Sequence, residues 1–146
     1  MRDQDYAYDD PDLARGAANF KRMFGEIYGS ELCSQLHEGP VGMNRFVMTQ
    51  IGPMVWERDG LDMKTRMFVA LAVLAALGRE ETRFFMRGAL CNGATRAEIE
   101  EVLIVTGQEA GFPCAALAAK RLDEAEAQHN EMMERFAATQ QAGGEG

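Results

Sequence analysis

One unbroken apolar run, MFVALAVLAAL from Met67 to Leu77, constrains the fold of this chain more than any other feature. It is much shorter than the ~20 apolar residues that a helix needs to cross a bilayer. Asp62 ahead of it is a good N-cap residue, and Gly78 behind it suits a helix C-terminus. The run therefore predicts a helix that is buried on most sides, which requires further helices packed around it.

Helical signals also cover most of the remaining chain. From Pro11 to about Tyr28, apolar residues recur every three or four positions, which predicts a first helix that Gly29–Ser30 ends. Thr95 and Glu98 have the spacing of a capping box, so another helix begins there. The other expected elements are a helical turn at 31–37, a Met-rich stretch at 42–57 that Pro53 kinks or interrupts, a helix at 79–91 and a last helix from Pro113 to about Phe136.

These elements predict the fold class and the domain organisation. We find no convincing strand pattern and no internal repeat. The expected architecture is an all-α bundle of about six helices with short connections. The 146 residues suit one domain, which we assign to residues 11–138. The polar residues 1–10 predict a flexible N-terminus, and residues 139–146 predict a disordered tail.

The charge of the chain argues against two classes of partner. The formal net charge is -8 and the sequence pI is about 4.8. Nucleic-acid binding requires a basic face, and docking on an anionic membrane requires basic clusters, so neither partner is expected. The N-terminal residues contain no apolar stretch that would act as a signal peptide, and a cytoplasmic location is therefore expected.

The cysteine and histidine content predicts neither disulfides nor a metal site. The chain has three cysteines without a CxxC motif and only two histidines. Reduced thiols agree with the cytoplasmic prediction. A zinc site built from so few ligands is not expected. Cys33 and His37 would share one face of a helix, but we interpret this spacing as coincidental rather than as a nucleophile and its base.

A set of motifs follows in a fixed order between Val55 and Ala116. They are WERDGLD at 56–62, KTR at 64–66, ALGREE at 76–81, RGALCNGATRAEIEEVL at 87–103 and AGFPCAA at 110–116. With these motifs the chain resembles the carboxymuconolactone decarboxylase family, in its gamma-carboxymuconolactone decarboxylase branch. The matching block covers roughly two fifths of the sequence.

The resemblance implies a fold, an assembly and an activity. The fold would be all-helical and alkyl hydroperoxidase D-like, in ring-shaped homotrimers or homohexamers with active sites near subunit boundaries. The substrate would be a small carboxylated lactone from aromatic-compound catabolism, decarboxylated without a metal or an organic cofactor. Arg66, Glu81 and Arg87 match the family. The decarboxylases have a histidine where this chain has Phe85, and commonly an aromatic residue where it has Glu109.

The same resemblance argues against peroxidase chemistry. The peroxidase branch of the family uses a CxxC pair with a nearby histidine and glutamate. At the corresponding positions this chain has Gly78, Glu81, Phe85 and Arg66. A dithiol peroxidase is therefore not expected.

The matched and altered residues suit the steps of a decarboxylation. The reaction needs a group that binds an anion, a group that stabilises enolate-like charge and a proton donor. Because arginine pairs bidentately with a carboxylate, Arg66 is a candidate catalytic group and Arg87 a candidate substrate-binding group. Glu81 shares a helical face with Phe85, where an apolar neighbour favours a protonated carboxyl. Glu109 near a helix C-terminus gains nothing from the helix dipole, which is consistent with a catalytic role.

A structural role is the alternative for each of these groups. An ion pair would explain Arg66, a solvated stripe of arginines would explain Arg87, and the helix dipole would explain Glu81. Simple exposure would explain Glu109. Phe84, Phe85 and Trp56 are either core residues or the wall of a pocket for a flat substrate.

Three functions compete at this point. The first is a cofactor-free decarboxylase acting on a small carboxylated lactone or ring compound. The second is an isomerase, lactone-opening enzyme or elimination enzyme on the same scaffold, for which the paired change at Phe85 and Glu109 argues. The third is a homologue that binds a ligand without catalysis, because a fold does not determine a function.

Overall fold

The computed structural model describes residues 9–38 and 45–143, apart from the side chains of His37, Glu38 and Gly143. Every regular element in these residues is helical, which confirms the all-α prediction. In the part of the chain described, no helix is both long enough and apolar enough to cross a membrane. The elements are α1 (Pro11–Phe24), α2 (Glu26–Glu38), a π-helical turn (Val47–Ile51), α3 (Gly52–Trp56), α4 (Met63–Ala76), α5 (Thr82–Cys91), α6 (Arg96–Ala110) and α7 (Phe112–Gly143).

The chain divides into two compact units, Met1–Asp62 and Met63–Gly146, and each is described by itself. Residues 1–8, 39–44 and 144–146 lie outside the described part, and with them the predicted break at 39–40, the start of the Met-rich stretch and much of both predicted termini. The assignment of residues 11–138 to a single domain stays a prediction.

The first unit corrects the predicted end of the first helix. α1 ends at Phe24, because Gly25 adopts a left-handed φ of 86°. Gly29, the expected breaker, lies inside α2. A Cβ on Gly29 would come within 2.5 Å of the Lys21 Cα, so this glycine allows α1 and α2 to approach closely. The sequence pattern alone does not distinguish a glycine that ends a helix from one that permits close packing.

Aromatic side chains form much of the core of the first unit. The rings of Phe20 and Phe24, and those of Phe24 and Tyr28, have centroids 6.0 Å apart. Met48 of the π-helical turn and Trp56 of α3 are also buried. The predicted irregularity at Pro53 is confirmed, since this residue lies in the first turn of α3, directly after the π-helical turn.

The second unit shows the predicted helix ends with one shift. Gly78 has φ 66° and its N–H bonds to the Ala75 carbonyl at 2.9 Å, in a Schellman-type turn that ends α4. α5 then begins at Thr82 rather than at Arg79, because this turn uses residues 78–81. Thr95 and Glu98 form the predicted capping box of α6.

The last helix is longer than predicted. α7 continues past Phe136 to Gly143 and is 32 residues long, whereas an average helix has ~11–12 residues. Its buried residues lie on one helical face, at spacings of three, four and seven positions: Ala115, Ala118, Leu122, Ala125 and Met132. The final part of α7 is polar and exposed, so the helix continues beyond its apolar stripe.

The core of the second unit is apolar, as the run at 67–77 predicts. α4 packs against α5, α6 and α7, and α5 also packs against α7. One face of α4 stays exposed: Val69, Val73 and Leu77 are 53%, 54% and 68% exposed. The side chains with almost no exposure are Met67, Leu71 and Ala75 on α4, Met86 and Ala89 on α5, Ile99 on α6, and Ala118, Leu122 and Ala125 on α7.

Candidate functional site

Arg66 is a buried cation on the apolar helix α4. Its exposed fraction is 9%, and Met67 beside it is fully buried. A guanidinium removed from water in this way must be compensated by polar or charged partners. The carboxylate of Glu81, another of the candidate residues, lies 4.0 Å from the Arg79 guanidinium.

Glu81 occupies a fixed turn but has an exposed side chain. The Arg121 guanidinium donates to the Arg79 carbonyl at 2.7 Å, and the Thr82 hydroxyl donates to the same oxygen at 2.6 Å. These bonds hold the residues that precede α5. The Glu81 carboxylate itself is 52% exposed, and Phe85, one turn later on the same face, is half-buried.

Glu109 is also exposed. It lies in the last turn of α6, one residue before the helix ends at Ala110. Gly111, with φ 105°, separates α6 from α7. Glu109 is therefore a solvent-facing carboxylate at the C-terminus of α6.

Arg87 is the candidate residue with the most defined surroundings. It is 7% exposed and lies on α5, on the same face as Phe84 and Cys91. Its Nη1 donates to Gln128 Oε1 of α7 at 2.7 Å. One turn further along α5, Cys91 Sγ lies 3.6 Å from His129 Nδ1. We refer to Arg87, Cys91, Gln128 and His129 as the Arg87 cluster.

Burial and the Arg87 charge control ionisation in this cluster. Burial lowers the pKa of His129 below its ordinary value, and the positive charge of Arg87 lowers it further, while Glu126 acts in the opposite direction. Burial raises the pKa of the Cys91 thiol to about 11. At neutral pH the cluster therefore contains one cation, a neutral imidazole and a protonated thiol.

Gln128, His129 and Cys91 are not among the site residues that the sequence predicts. A signal for His129 was present. It continues the stripe of buried residues on α7, between Ala125 and Met132 at spacings of four and three. An ionisable residue inside an apolar stripe is the informative exception in such a pattern.

The aromatic candidates lie in different places. Phe84 is half-buried, and the Arg83 guanidinium carbon lies 5.0 Å from its ring centroid, in cation–π geometry. Trp56 is buried in the first unit, where its carbonyl accepts a hydrogen bond from Arg22 Nη2 at 3.0 Å. Contact of Phe84, Phe85 or Trp56 with a substrate stays a prediction.

Two of the three thiols, those of Cys33 and Cys91, are poorly suited to act as nucleophiles. Cys33, Cys91 and Cys114 form no disulfide. Burial raises the pKa of Cys33 to about 11, as it does for Cys91. The side chain of His37, the residue considered with Cys33, lies outside the described part. In that part, no three His, Cys, Asp or Glu side chains are grouped so that they would hold a metal ion.

Comparison with known proteins is consistent with the motif pattern. Residues 44–129 match the model of the carboxymuconolactone decarboxylase family. The chain is similar to a 4-carboxymuconolactone decarboxylase of Acinetobacter baylyi, with 32% identity over 103 residues that cover 70% of this chain and 77% of that protein. It is also similar to an uncharacterized 15.0 kDa protein encoded in the nqo9-nqo10 intergenic region of Paracoccus denitrificans. That match is 38% identical over 61 residues and covers 40% of this chain and 46% of that protein.

The family match includes α4, α5, α6 and the part of α7 that ends at His129. It thus contains every residue of the Arg87 cluster and each candidate residue predicted from the sequence. Together with the all-helical architecture, it confirms the alkyl hydroperoxidase D-like fold. The chain belongs to the carboxymuconolactone decarboxylase family.

Proposed function

We propose that this protein is a cofactor-free, decarboxylase-like lyase of the gamma-carboxymuconolactone decarboxylase branch. Its substrate is a small carboxylated lactone or ring compound from aromatic-compound catabolism. The observation that carries the proposal is the buried Arg87 guanidinium, which is held by Gln128 inside the region that matches the family.

Arg87 suits the binding of a substrate carboxylate. Its planar fork pairs with two carboxylate oxygens at once, and a partly dry environment strengthens that pairing. The neighbouring Phe84 ring would contact the flat face of a lactone. In this proposal Arg87, Phe84 and Phe85 bind the substrate, and a contact of Trp56 with it stays a prediction from the sequence.

The remaining groups would stabilise charge and move the proton. Arg66 is the second buried guanidinium, and it suits stabilisation of the enolate-like charge that forms when CO2 leaves. Glu81 and Glu109 are the carboxylates proposed from the sequence as proton donors. Their exposure in the described structure gives neither of them the apolar environment that favours a protonated carboxyl.

The exposed face of α4 supports the proposed homo-oligomer. Val69, Val73 and Leu77 form a stripe spaced by four residues, and all three are more than half exposed. Covering such a stripe with a second copy of the chain would remove apolar surface from water. Sedimentation velocity should detect a trimer or a hexamer, and Val73→Glu should shift it toward monomer. A monomeric wild-type protein would contradict this part of the proposal.

The central test is CO2 release from gamma-carboxymuconolactone by the purified protein. We expect release by the wild-type chain and a higher rate in Phe85→His, which restores the family histidine. Arg15→Gln, an exposed change in the first unit, serves as the control. Release by Phe85→His alone would favour the alternative that the site has diverged toward isomerisation, lactone opening or elimination. Binding of the lactone without turnover in either protein would favour a non-catalytic homologue.

A further inference from the structure

His129 is the second histidine of a chain whose family histidine has been replaced by Phe85. It lies on the buried stripe of α7 and faces α5, where Arg87 and Cys91 are one turn apart. Gln128, the preceding residue, binds the Arg87 guanidinium at 2.7 Å. The imidazole and the guanidinium are therefore held side by side through adjacent residues of one helix.

The contact with Cys91 orients the imidazole. Cys91 Sγ lies 3.6 Å from His129 Nδ1, within the range of a hydrogen bond to sulfur. Because Nδ1 is engaged in this contact, Nε2 is the ring nitrogen left to face a ligand. The His129 side chain is half-buried rather than enclosed. A ring held at Nδ1 and with Nε2 directed to a substrate would have the geometry of a general acid.

We propose that His129 donates the proton in this protein's decarboxylation, in place of the histidine lost at Phe85, and that the substrate anion bound at Arg87 primes it. The inference rests on the proposed function, because it assigns a residue to that reaction. It differs from the sequence-based proposal, in which Glu81 or Glu109 is the donor.

Substrate binding would prepare His129 to donate a proton by raising the pKa of its imidazole. In the free protein the Arg87 charge and burial lower the pKa of His129, so the imidazole is neutral at pH 7. An anion paired with Arg87 cancels part of that positive charge and raises the pKa of His129. The imidazole then takes a proton from solvent only when substrate is present. The other charged group acting on it, Glu126 of α7, is itself bound to Arg96 at 2.6 Å.

The proton and the electron pair balance in the following step. The bond between the ring carbon and the carboxylate breaks, CO2 leaves, and the electron pair moves through the conjugated double bond to the carbonyl oxygen of the lactone. The resulting enolate collapses as His129 Nε2–H gives its proton to carbon. The imidazole is neutral again. It takes its next proton from solvent once another substrate anion is bound at Arg87.

The first test compares His129→Asn and His129→Gln with the wild-type chain in the CO2 assay. Lys120→Gln, an exposed change on the same helix, is the matched control. We expect kcat to fall about 100-fold in both histidine variants, with KM changed less than about threefold. The control should keep kcat within about twofold. Normal kcat in His129→Asn, beside active wild-type protein, would overturn this inference and leave the proposed function intact.

A second measurement does not depend on turnover. The two histidines give two imidazole signals in NMR, and the signal absent from His129→Gln belongs to His129. The wild-type protein is titrated with pH in the presence and absence of 5-oxotetrahydrofuran-2-carboxylate, a saturated lactone acid that lacks the conjugated double bond. We expect the probe to raise the pKa of His129 in the wild-type chain and not in Arg87→Met. An unchanged His129 titration with the probe bound would overturn the inference, whereas absence of CO2 release by wild-type protein would overturn the proposed function itself.

Discussion

Arg96 and Arg87 each join another helix of the second unit to α7, but the side chains that they bind on α7 differ in charge. Arg96, the first residue of α6, binds three carboxylates: Glu100 at 2.8 Å, Asp123 at 2.7 Å and Glu126 at 2.6 Å. These bonds raise the pKa of its guanidinium. We refer to this group as the Arg96 cluster. Arg87, by contrast, is buried, donates to the neutral amide of Gln128 and adds to the lowering of the His129 pKa that burial causes.

The difference separates a structural arginine from one suited to a ligand. In the Arg96 cluster the positive charge is balanced by exposed carboxylates, and water screens the whole network. In the Arg87 cluster the positive charge lowers the pKa of the neighbouring His129 imidazole beyond the effect of burial. The same charge would act on a ligand bound beside Arg87. The proposed binding of an anionic substrate is therefore assigned to Arg87 rather than to Arg96.

The strongest test of this comparison is Arg87→Lys. Lysine keeps the charge but loses the planar fork that binds a carboxylate at two points, so we expect kcat/KM for decarboxylation to fall about 100-fold. Arg96→Lys, the matched control in the other cluster, should leave kcat/KM within about twofold. Steady-state kinetics on folded protein measure both values. Equal losses in the two variants would remove the distinction between the clusters.

A smaller effect is expected for Arg96→Ala, and on stability rather than on activity. The change removes three ion pairs, two of which join α6 to α7, so the thermal midpoint should fall by a few degrees. The loss should shrink when the salt concentration rises from 0.05 to 0.5 M, because exposed pairs are screened. Circular dichroism melts at both salt concentrations measure it. A loss that does not depend on salt would assign the effect to packing of the arginine stem instead.

The smallest expected effect is a pH dependence of stability that originates at His129. Its pKa in the folded protein lies below the ordinary value of 6.5, so the folded state binds a proton less readily than the unfolded chain. This contribution is fully present above pH 6.5 and decreases as pH falls toward the folded pKa. As the pH is lowered from 8 to 5, the urea midpoint should therefore fall less for His129→Asn than for wild-type protein. Parallel curves would show that the imidazole titrates alike in both states.

Helix ends in this protein could be predicted where a local motif defines them. Gly78 ends α4 and the Thr95–Glu98 box begins α6, because each signal acts on hydrogen bonds within its own turn. Gly25 and Gly29 could not be told apart in the same way. One has the left-handed φ that ends a helix, and the other admits a neighbouring backbone that is distant in sequence.

In the candidate site, too, some properties could be predicted from the sequence and others could not. The motif order from Val55 to Ala116 was sufficient to predict the family, and it directed attention to Arg66, Glu81 and Arg87. It gave no information about exposure, and Glu81 and Glu109 face solvent in the described structure. Their role in the reaction stays a prediction.

The sequence by itself determined the helical class, most of the helix ends and the family, because these depend on periodicity, caps and motif order along the chain. Only the tertiary structure brought Cys91 and Arg87 of α5 beside His129 and Gln128 of α7, roughly forty positions apart in sequence. Helix packing, set by apolar surfaces on both helices, decides which polar side chains meet. The ionisation state of His129 follows from that meeting, since burial and a neighbouring charge exist only once the helices are packed.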